Sequence, residues 1–296
     1  MAMARFGQVI TAMVTPFDDD GRLDVAAAAE VARWLVAHGS EGLVLAGTTG
    51  ESPTLRTEET FALAEAVRAA VDVPLILGTG SNDTAHGVEL TAKAASLGMD
   101  AALVVTPYYN RPSQEGLYRH FTTLARATDL PVIIYDIPTR TGRKVDTDTL
   151  LRLARDVDNI VAVKDAAGDV VESARLMASA PEGFELYSGE DSLTLPLLSI
   201  GACGVISVAS HWTGPLWARM ISSYLDGDVA GARAANCELM AHIAFETGLA
   251  APNPVPSKAM MRVLGLPVGE CRPPMGPTPA GLEDEARRLA ASLDLL

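Results

Sequence analysis

The stretch that decides the fold covers residues 131–164 and reads PVIIYDIPTRTGRKVDTDTLLRLARDVDNIVAVK. It begins with an apolar run over 131–135 and ends with a second one over 160–164. Both runs are too short for a helix and almost continuously apolar, as is typical of strands buried on both faces of a parallel sheet. Because the amphipathic pattern over 146–155 predicts a helix between them, the stretch is expected to form one strand–helix–strand unit.

The same rhythm recurs along the first two-thirds of the chain. The apolar runs cover residues 8–14, 42–46, 73–77, 101–105, 131–135, 160–164, 184–188 and 204–208. Helical patterns over 25–38, 57–71, 83–97, 114–127, 146–155 and 170–179 alternate with them. Eight such units predict an α/β protein with a (β/α)₈ TIM barrel over residues 1–226, since barrels of this type typically have about 250 residues.

The last part of the chain has a different pattern. Helical patterns over 229–247, 256–264 and 282–293 follow residue 227 without any strand signal, which predicts a C-terminal helical extension over 227–296. An open doubly wound sheet is the alternative to the barrel. It should carry a glycine-rich dinucleotide fingerprint after the first strand, and Thr15-Pro16-Phe17-Asp18 is nothing like one.

One long uncharged segment, residues 192–218, contains no Asp, Glu, Lys or Arg. A membrane helix needs about 20 predominantly apolar residues, whereas Pro and Gly interrupt this segment repeatedly. We therefore expect a buried helix, a buried strand and a turn, and no membrane span.

The composition excludes several classes of partner. The 23 basic residues are outnumbered by 37 acidic ones, which gives a formal net charge of −14. Such a surface repels polyanions, so we expect neither a nucleic-acid partner nor binding to anionic membranes. The three cysteines form no CxxC pair, and residues 1–10 have no long apolar core. Free thiols and a cytoplasmic location are expected.

Lys164 is the most informative side chain at the predicted strand ends, where the active sites of such barrels lie. The chain has only four lysines, so lysine is not used as general surface charge. They are Lys93, Lys144, Lys164 and Lys258. Burial at the end of an apolar strand disfavours the ammonium, and a neutral amine can attack a carbonyl to form a Schiff base. The alternative is a structural lysine that pairs with Asp165 or Asp136.

Hydroxyl, phenol and guanidinium groups accompany Lys164 at the predicted strand ends. Thr48 and Thr49 are flanked by glycines and supply hydroxyls and backbone N–H groups suited to a small carboxylate. Tyr135 can relay protons, and Arg140 can bind a carboxylate through two guanidinium nitrogens. Each also has a structural alternative: a plain turn for the threonines, a core phenol for Tyr135 and a solvated loop residue for Arg140.

The five histidines show no metal-ligand spacing. They are His38, His86, His120, His211 and His242. A metal-dependent aldol mechanism therefore has no visible ligand set, and the covalent route through Lys164 is left. We expect no metal and no cofactor other than the imine that the substrate itself forms.

Five motifs, in this order, together resemble the dihydrodipicolinate synthase / N-acetylneuraminate lyase family of class I aldolases. They are Gly47-Thr-Thr-Gly-Glu-Ser52, Thr106-Pro-Tyr-Tyr-Asn-Arg-Pro112, Tyr135-Asp-Ile-Pro-Thr-Arg-Thr-Gly142, Val163-Lys-Asp165 and Ser188-Gly189. The resemblance covers nearly the whole chain. It implies an enzyme, a lyase, whose partners are small molecules: pyruvate and an aldehyde.

The resemblance implies a catalytic role for each matching residue. Pyruvate is expected to bind as an imine to Lys164, with its carboxylate held by Thr49 and by the backbone of Thr48 and Thr49. A relay of Thr48, Tyr135 and Tyr109 is expected to move protons during the reaction.

Two further implications concern the pocket and the assembly. Gly189 and Ile206 match positions that line the pyruvate pocket through backbone contacts. In the family, the tyrosine matching Tyr109 comes from the adjacent subunit. The resemblance therefore implies a homo-oligomer, a tetramer built from dimers.

Within the family, Arg140 favours the synthase-type reaction, the condensation of pyruvate with aspartate semialdehyde in the lysine and diaminopimelate pathway. The alternative is a related pyruvate aldolase acting on a 2-keto-3-deoxy sugar acid, 4-hydroxy-2-oxoglutarate or N-acetylneuraminate. A barrel that has lost its catalysis is a third hypothesis, but it should have lost some of the four catalytic residues, and all are present.

The chain departs from the family at two places. Lysine-inhibited members usually carry His or similar residues in the helix after Gly-Glu-Ser and an acid after strand three. Here Thr57, Thr60 and His86 stand at those positions, while Asn82 and Tyr108 are kept. Weak or absent inhibition by lysine is expected. The second departure is an Asp at position 136, where many members have Asn.

Overall fold

The computed structural model describes residues 4–246, 248 and 251–296, and its strands form one closed barrel in chain order. The strands are β1 (Val9–Ala12), β2 (Gly42–Leu45), β3 (Leu75–Gly78), β4 (Ala101–Val105), β5 (Val132–Asp136), β6 (Ile160–Asp165), β7 (Glu185–Ser188) and β8 (Gly204–Ser207). The pairs β1–β2 and β3 through β8 are parallel. The predicted TIM barrel is confirmed, because each predicted apolar run overlaps one of these strands.

Helices follow the strands at nearly all the predicted places. They are α1 (Val25–Ala37), α2 (Thr57–Ala70), α3 (Thr84–Ser96), α4 (Gln114–Ala125), α5 (Pro138–Thr141), α6 (Thr147–Asp156), α7 (Val170–Ser179), α8 (Thr194–Leu198), α9 (Ser210–Leu225), α10 (Val229–Glu246), α11 (Val255–Val263) and α12 (Leu282–Ala291). The predicted helix over 229–247 extends to Glu246, and Thr247 lies outside the described residues.

The segment over 192–218 differs from its prediction at the C-terminal end. The buried helix is α8 and the buried strand is β8, but α9 occupies the place of the predicted turn. Thr213 has non-helical backbone angles, so Pro215 sits just after a kink, where its missing N–H costs no helical hydrogen bond. Among the described residues, no helix has the length and apolar character to cross a bilayer.

The contacts divide the chain into two compact units, which are described separately below. One comprises the residues up to Gln8 with Pro74–Ile206, and the other comprises Val9–Val73 with Ser207–Leu296. The second unit includes α10, α11 and α12, and no described residue after Ser207 lies in a strand. The division into a barrel over 1–226 and an extension over 227–296 stays a prediction.

In the first unit, the outer faces of the strands pack against the helices. Val132 and Ile134 of β5 and Val163 of β6 belong to one buried cluster with Leu117 and Phe121 of α4. Because side chains alternate between the two faces of a strand, the residues next to these in sequence point to the inner face. The helices thus decide which strand residues face the barrel interior.

Gly80 follows β3 at a point where two backbone segments nearly touch. A Cβ atom at this position would lie 2.2 Å from the Val105 backbone nitrogen, a distance that neighbouring atoms cannot relieve by rotating a side chain. Only a residue without Cβ leaves β4 undisturbed there.

We expect Gly80→Ala to lower the free energy of unfolding by about 1–3 kcal/mol, since β4 must shift to admit the methyl group. Urea denaturation at neutral pH measures the loss. Gly276→Ala is the matched control, because an added Cβ at Gly276 meets nothing within 4 Å. Equal denaturation midpoints for the two variants would contradict the tight approach of the two segments.

Candidate active site

Lys164 and Tyr135 lie side by side on paired strands. The register of β5 and β6 places Tyr135 opposite Lys164, and both side chains are 4% exposed. The Lys164 Nζ atom lies 4.2 Å from the centroid of the Tyr135 ring. Their neighbours Ile134 and Val163 pack outward, so both functional groups share the inner face. The arrangement brings a primary amine within reach of a phenol in a site largely shielded from water.

Gly189 provides the space that the lysine side chain occupies. A Cβ atom at Gly189 would lie 2.8 Å from Lys164 Cγ and 3.1 Å from Lys164 Cε. The backbone N–H of Gly189 donates to the Asp165 carbonyl oxygen over 2.7 Å, which fixes this approach. Gly189, a predicted position of the pyruvate pocket, therefore lies against Lys164.

The two carboxylates proposed as structural partners of Lys164 are bound elsewhere. Asp136 lies 3.8 Å from the Lys144 Nζ atom and accepts the Val145 N–H. Asp165 accepts the Ala167 N–H and the Ser173 hydroxyl. Within the described part of the chain, neither forms an ion pair with Lys164. Strand alternation explains this, because both aspartates follow an inward-facing residue and point outward.

Asp136 is a buried carboxyl with an unusual protonation equilibrium. Burial raises the pKa of Asp136 to about 7, and the nearby charge of Asp165 adds to this rise. The Val145 N–H and the Lys144 ammonium act in the opposite direction, with a smaller effect. The position next to Tyr135 thus holds a group that titrates near neutral pH.

Tyr109 and Arg140 occupy loops after β4 and β5. Tyr109 has a φ angle of +73° and is 89% exposed. Arg140 is exposed in the short helix α5, which ends at Gly142. The Arg111 Nε–H donates to the Gly142 carbonyl oxygen over 3.0 Å, so the two loops are joined. The phenol of Tyr109 is directed away from the core of its own chain.

Ile206 lies on β8. This strand pairs with β7, with Val205 opposite Ser188. Its side chain is buried. The structure therefore places this predicted pocket position on a strand, one residue before the strand ends.

In the second unit, Thr48 and Thr49 lie in a loop bracketed by two left-handed residues. Ala46 has a φ angle of +51° and Glu51 one of +56°. Thr49 is buried and its Oγ1 atom accepts a hydrogen bond from the Asn253 Nδ2 atom over 3.0 Å. Thr48 is half-buried, and its carbonyl oxygen accepts the Glu51 N–H. Two non-glycine residues with positive φ make this loop a sharply defined structure.

Comparison with known proteins assigns these features to one family. Residues 5–293 match the Dihydrodipicolinate synthetase family. The chain belongs to this family. It is 49% identical to the 4-hydroxy-tetrahydrodipicolinate synthase of Moorella thermoacetica over 98% of both chains. It is 45% identical to the enzyme of that name from Bacillus subtilis, over 98% of this chain and 99% of the relative.

Solved structures of the family agree with the fold. The dihydrodipicolinate synthase of Cyanidioschyzon merolae with lysine bound matches with a TM-score of 0.95 and 43% sequence identity. The match covers 98% of this chain and 99% of that one. Both the family resemblance and the fold predicted from the sequence are thereby confirmed.

Sequence reasoning missed the role of two residues of this family member that hold the Thr48–Thr49 loop. Asn253 contacts Thr49 across more than 200 residues of chain, and Lys258 forms an ion pair with Glu51. The rarity of lysine was the one signal in the sequence for Lys258. In a chain with only four lysines, lysine is not used as general surface charge. No local pattern indicates Asn253, because its partner is remote in sequence.

Asp136→Asn should make the protein more stable, and more so at high pH. The folded state binds the Asp136 proton more tightly than the unfolded chain, so its contribution to stability is lost as the pH rises from about 4 through about 7. We expect the gain in the free energy of unfolding to be about 2–3 kcal/mol larger at pH 8 than at pH 5. Denaturant titrations at the two pH values measure it.

The exposed Asp158 provides the control for this substitution. Asp158→Asn should change stability by the same small amount at both pH values. A gain from Asp136→Asn that does not depend on pH would contradict the buried, neutral carboxyl.

Proposed function

We propose that this protein is a lyase of the class I aldolase type. It condenses pyruvate with L-aspartate 4-semialdehyde to give 4-hydroxy-tetrahydrodipicolinate in lysine and diaminopimelate biosynthesis. The identity of 45–49% over nearly the whole length of enzymes with that name supports this reaction over the related aldolases. The observation that carries the chemistry is the Lys164 amine, which is buried on the inner face beside Tyr135.

The reaction begins at Lys164. The amine attacks the keto carbon of pyruvate, and loss of water gives an imine. The imine accepts electrons, so a methyl proton can leave and an enamine forms. The enamine carbon then bonds to the aldehyde carbon, whose oxygen takes a proton. Attack by the amino group of the second substrate closes the ring and releases Lys164, so the chemistry needs no metal and no further cofactor.

During these steps, protons must reach the departing keto oxygen and the aldehyde oxygen, and a proton must leave the methyl carbon of pyruvate. The phenol of Tyr135 lies beside the amine, and we assign it, with Thr48 and Tyr109, to the proton relay. Thr49 and the Thr48–Thr49 backbone hold the pyruvate carboxylate through hydroxyl and N–H donors. The backbone at Gly189 and Ile206 lines the pyruvate site.

Tyr109 also supports a proposal about assembly. An aromatic side chain that is 89% exposed and held by a left-handed backbone is poorly placed to serve its own chain. We propose that it enters the relay of an adjacent subunit, which makes the enzyme at least a dimer and, in pairs of dimers, a tetramer. The weak or absent inhibition by lysine and the cytoplasmic location stay predictions from the sequence.

Replacement of the nucleophile tests the function directly. We expect Lys164→Ala to lower turnover of pyruvate with aspartate semialdehyde by about three orders of magnitude or more, because the variant lacks the amine that forms the imine. A steady-state assay of ring formation measures it. Lys93→Ala removes an exposed lysine and should leave turnover unchanged. Comparable turnover by the two variants would contradict the role of Lys164, and wild-type preference for another aldehyde would favour a related aldolase.

Arg140 is expected to bind the carboxylate of aspartate semialdehyde. Arg140→Ala should raise the KM for this substrate by about 10- to 100-fold, the loss expected for a charged hydrogen-bonded pair. The KM for pyruvate should change by less than about two-fold, because pyruvate uses other donors. Arg140→Lys keeps the charge without the two-pronged geometry and should give an intermediate value. Equal effects on both KM values would sink this assignment.

A further inference from the structure

We propose that Asn253 is a positioning residue for pyruvate, which orients the Thr49 hydroxyl so that its single proton is offered to the substrate carboxylate. The inference rests on the proposed function, since that function assigns the pyruvate carboxylate to Thr49. Asn253 belongs to the C-terminal part of the chain, and none of the motifs behind the family resemblance includes it.

The hydrogen bond between Asn253 and Thr49 has a defined direction. The Asn253 Nδ2 atom lies 3.0 Å from Thr49 Oγ1. The other end of the same amide, Oδ1, accepts the Ser257 hydroxyl over 3.4 Å. Nδ2 is thus the end of the amide that faces Thr49, and an amide nitrogen can only donate. Thr49 is therefore the acceptor in this contact.

The hydrogen bond from Asn253 restricts where the Thr49 hydroxyl proton can point. A threonine hydroxyl has one proton and can accept through its lone pairs. Once the oxygen accepts from Asn253, the proton must point to a different acceptor. Thr49 is 2% exposed, so bulk water competes little for that proton. A carboxylate offers an anionic acceptor, and hydrogen bonds to charged groups are the stronger ones.

A buried ion pair connects the segment that carries Asn253 to the threonine loop. Lys258 lies on α11, five residues after Asn253, and its side chain is completely buried. Its Nζ atom lies 2.8 Å from Glu51 Oε1 and donates to the Glu270 carbonyl oxygen over 3.0 Å. The Arg272 backbone N–H donates to the other carboxylate oxygen, Glu51 Oε2, over 2.8 Å. The ammonium and the backbone N–H thus contact one carboxylate oxygen of Glu51 each.

Glu51 is also the residue that ends the threonine loop in a left-handed conformation. Such a backbone costs roughly 1–2 kcal/mol for a residue with a Cβ, and it persists only when its surroundings determine it. A buried ion pair is weak evidence for stability, but it favours one placement of its partners over others. We infer that α11 fixes the loop through Lys258 and Glu51, and thereby presents Asn253 to Thr49.

Asn253→Asp is the most informative substitution, because it keeps the shape and reverses the hydrogen bond. A carboxylate at this position accepts the Thr49 proton and adds a negative charge beside the substrate carboxylate. We expect the KM for pyruvate to rise by about 10- to 100-fold, while the KM for aspartate semialdehyde stays within about two-fold. Steady-state kinetics with each substrate varied in turn measure both values.

Two further variants keep the test decisive. Asn236→Asp makes the same exchange on α10 and should leave the KM for pyruvate unchanged. Asn253→Ala removes the donor without adding charge, and we expect a smaller rise of about three-fold. If Asn253→Asp fails to fold, Asn253→Ala gives the result. Thermal unfolding of each variant identifies such a failure.

The outcomes separate this inference from the proposed function. If the wild type turns over pyruvate with aspartate semialdehyde and Asn253→Asp retains its KM for pyruvate, the inference is wrong and the function stands. A parallel rise of both KM values indicates a general structural role and also overturns it. If the wild type does not turn over pyruvate, the proposed function itself fails.

Discussion

The alternation of side chains along parallel strands is the constraint on which the site depends. On β5 and β6, Ile134 and Val163 must face outward, since they pack into the cluster formed with the helices. The next residue on each strand is then forced to the inner face, and the strand register sets Tyr135 opposite Lys164. The juxtaposition of amine and phenol is therefore a by-product of core packing. It also separates Lys164 from the neighbouring aspartates, which leaves the amine without a carboxylate partner among the described residues of its own unit.

In the second unit, the conformation of the loop that carries Thr48 and Thr49 is stabilised by contacts from outside the loop. Its two left-handed residues make the loop intrinsically unfavourable, so contacts from outside must hold it. Those contacts come from α11, through the buried Lys258 ammonium, and from the turn before α11, through the amide of Asn253. The C-terminal part of this family member is thus joined to a loop near the start of the chain.

The sequence predicts the barrel well because its strands, apart from β7, are short, nearly continuous apolar runs. It fails where local signals mislead or are absent. The repeated Pro and Gly residues over 192–218 suggested a turn, but the structure places Pro215 after a kink within α9, where it is tolerated. The helices α5 and α8 have only four and five residues, too few for a periodic pattern. The candidate residues at strand ends were proposed because barrel geometry favours that position. Asn253 contacts Thr49 over a sequence separation of 204 residues, so no local pattern indicates it.

The proposed reaction depends on the capture of pyruvate by one buried amine, Lys164. Reduction of the enzyme–pyruvate mixture with borohydride makes such an imine permanent, and mass analysis of the peptides then locates it. We expect a single adduct on Lys164, with the mass of pyruvate less one water and plus two hydrogens. An adduct on Lys93, Lys144 or Lys258 in its place, or no adduct at all, would contradict it.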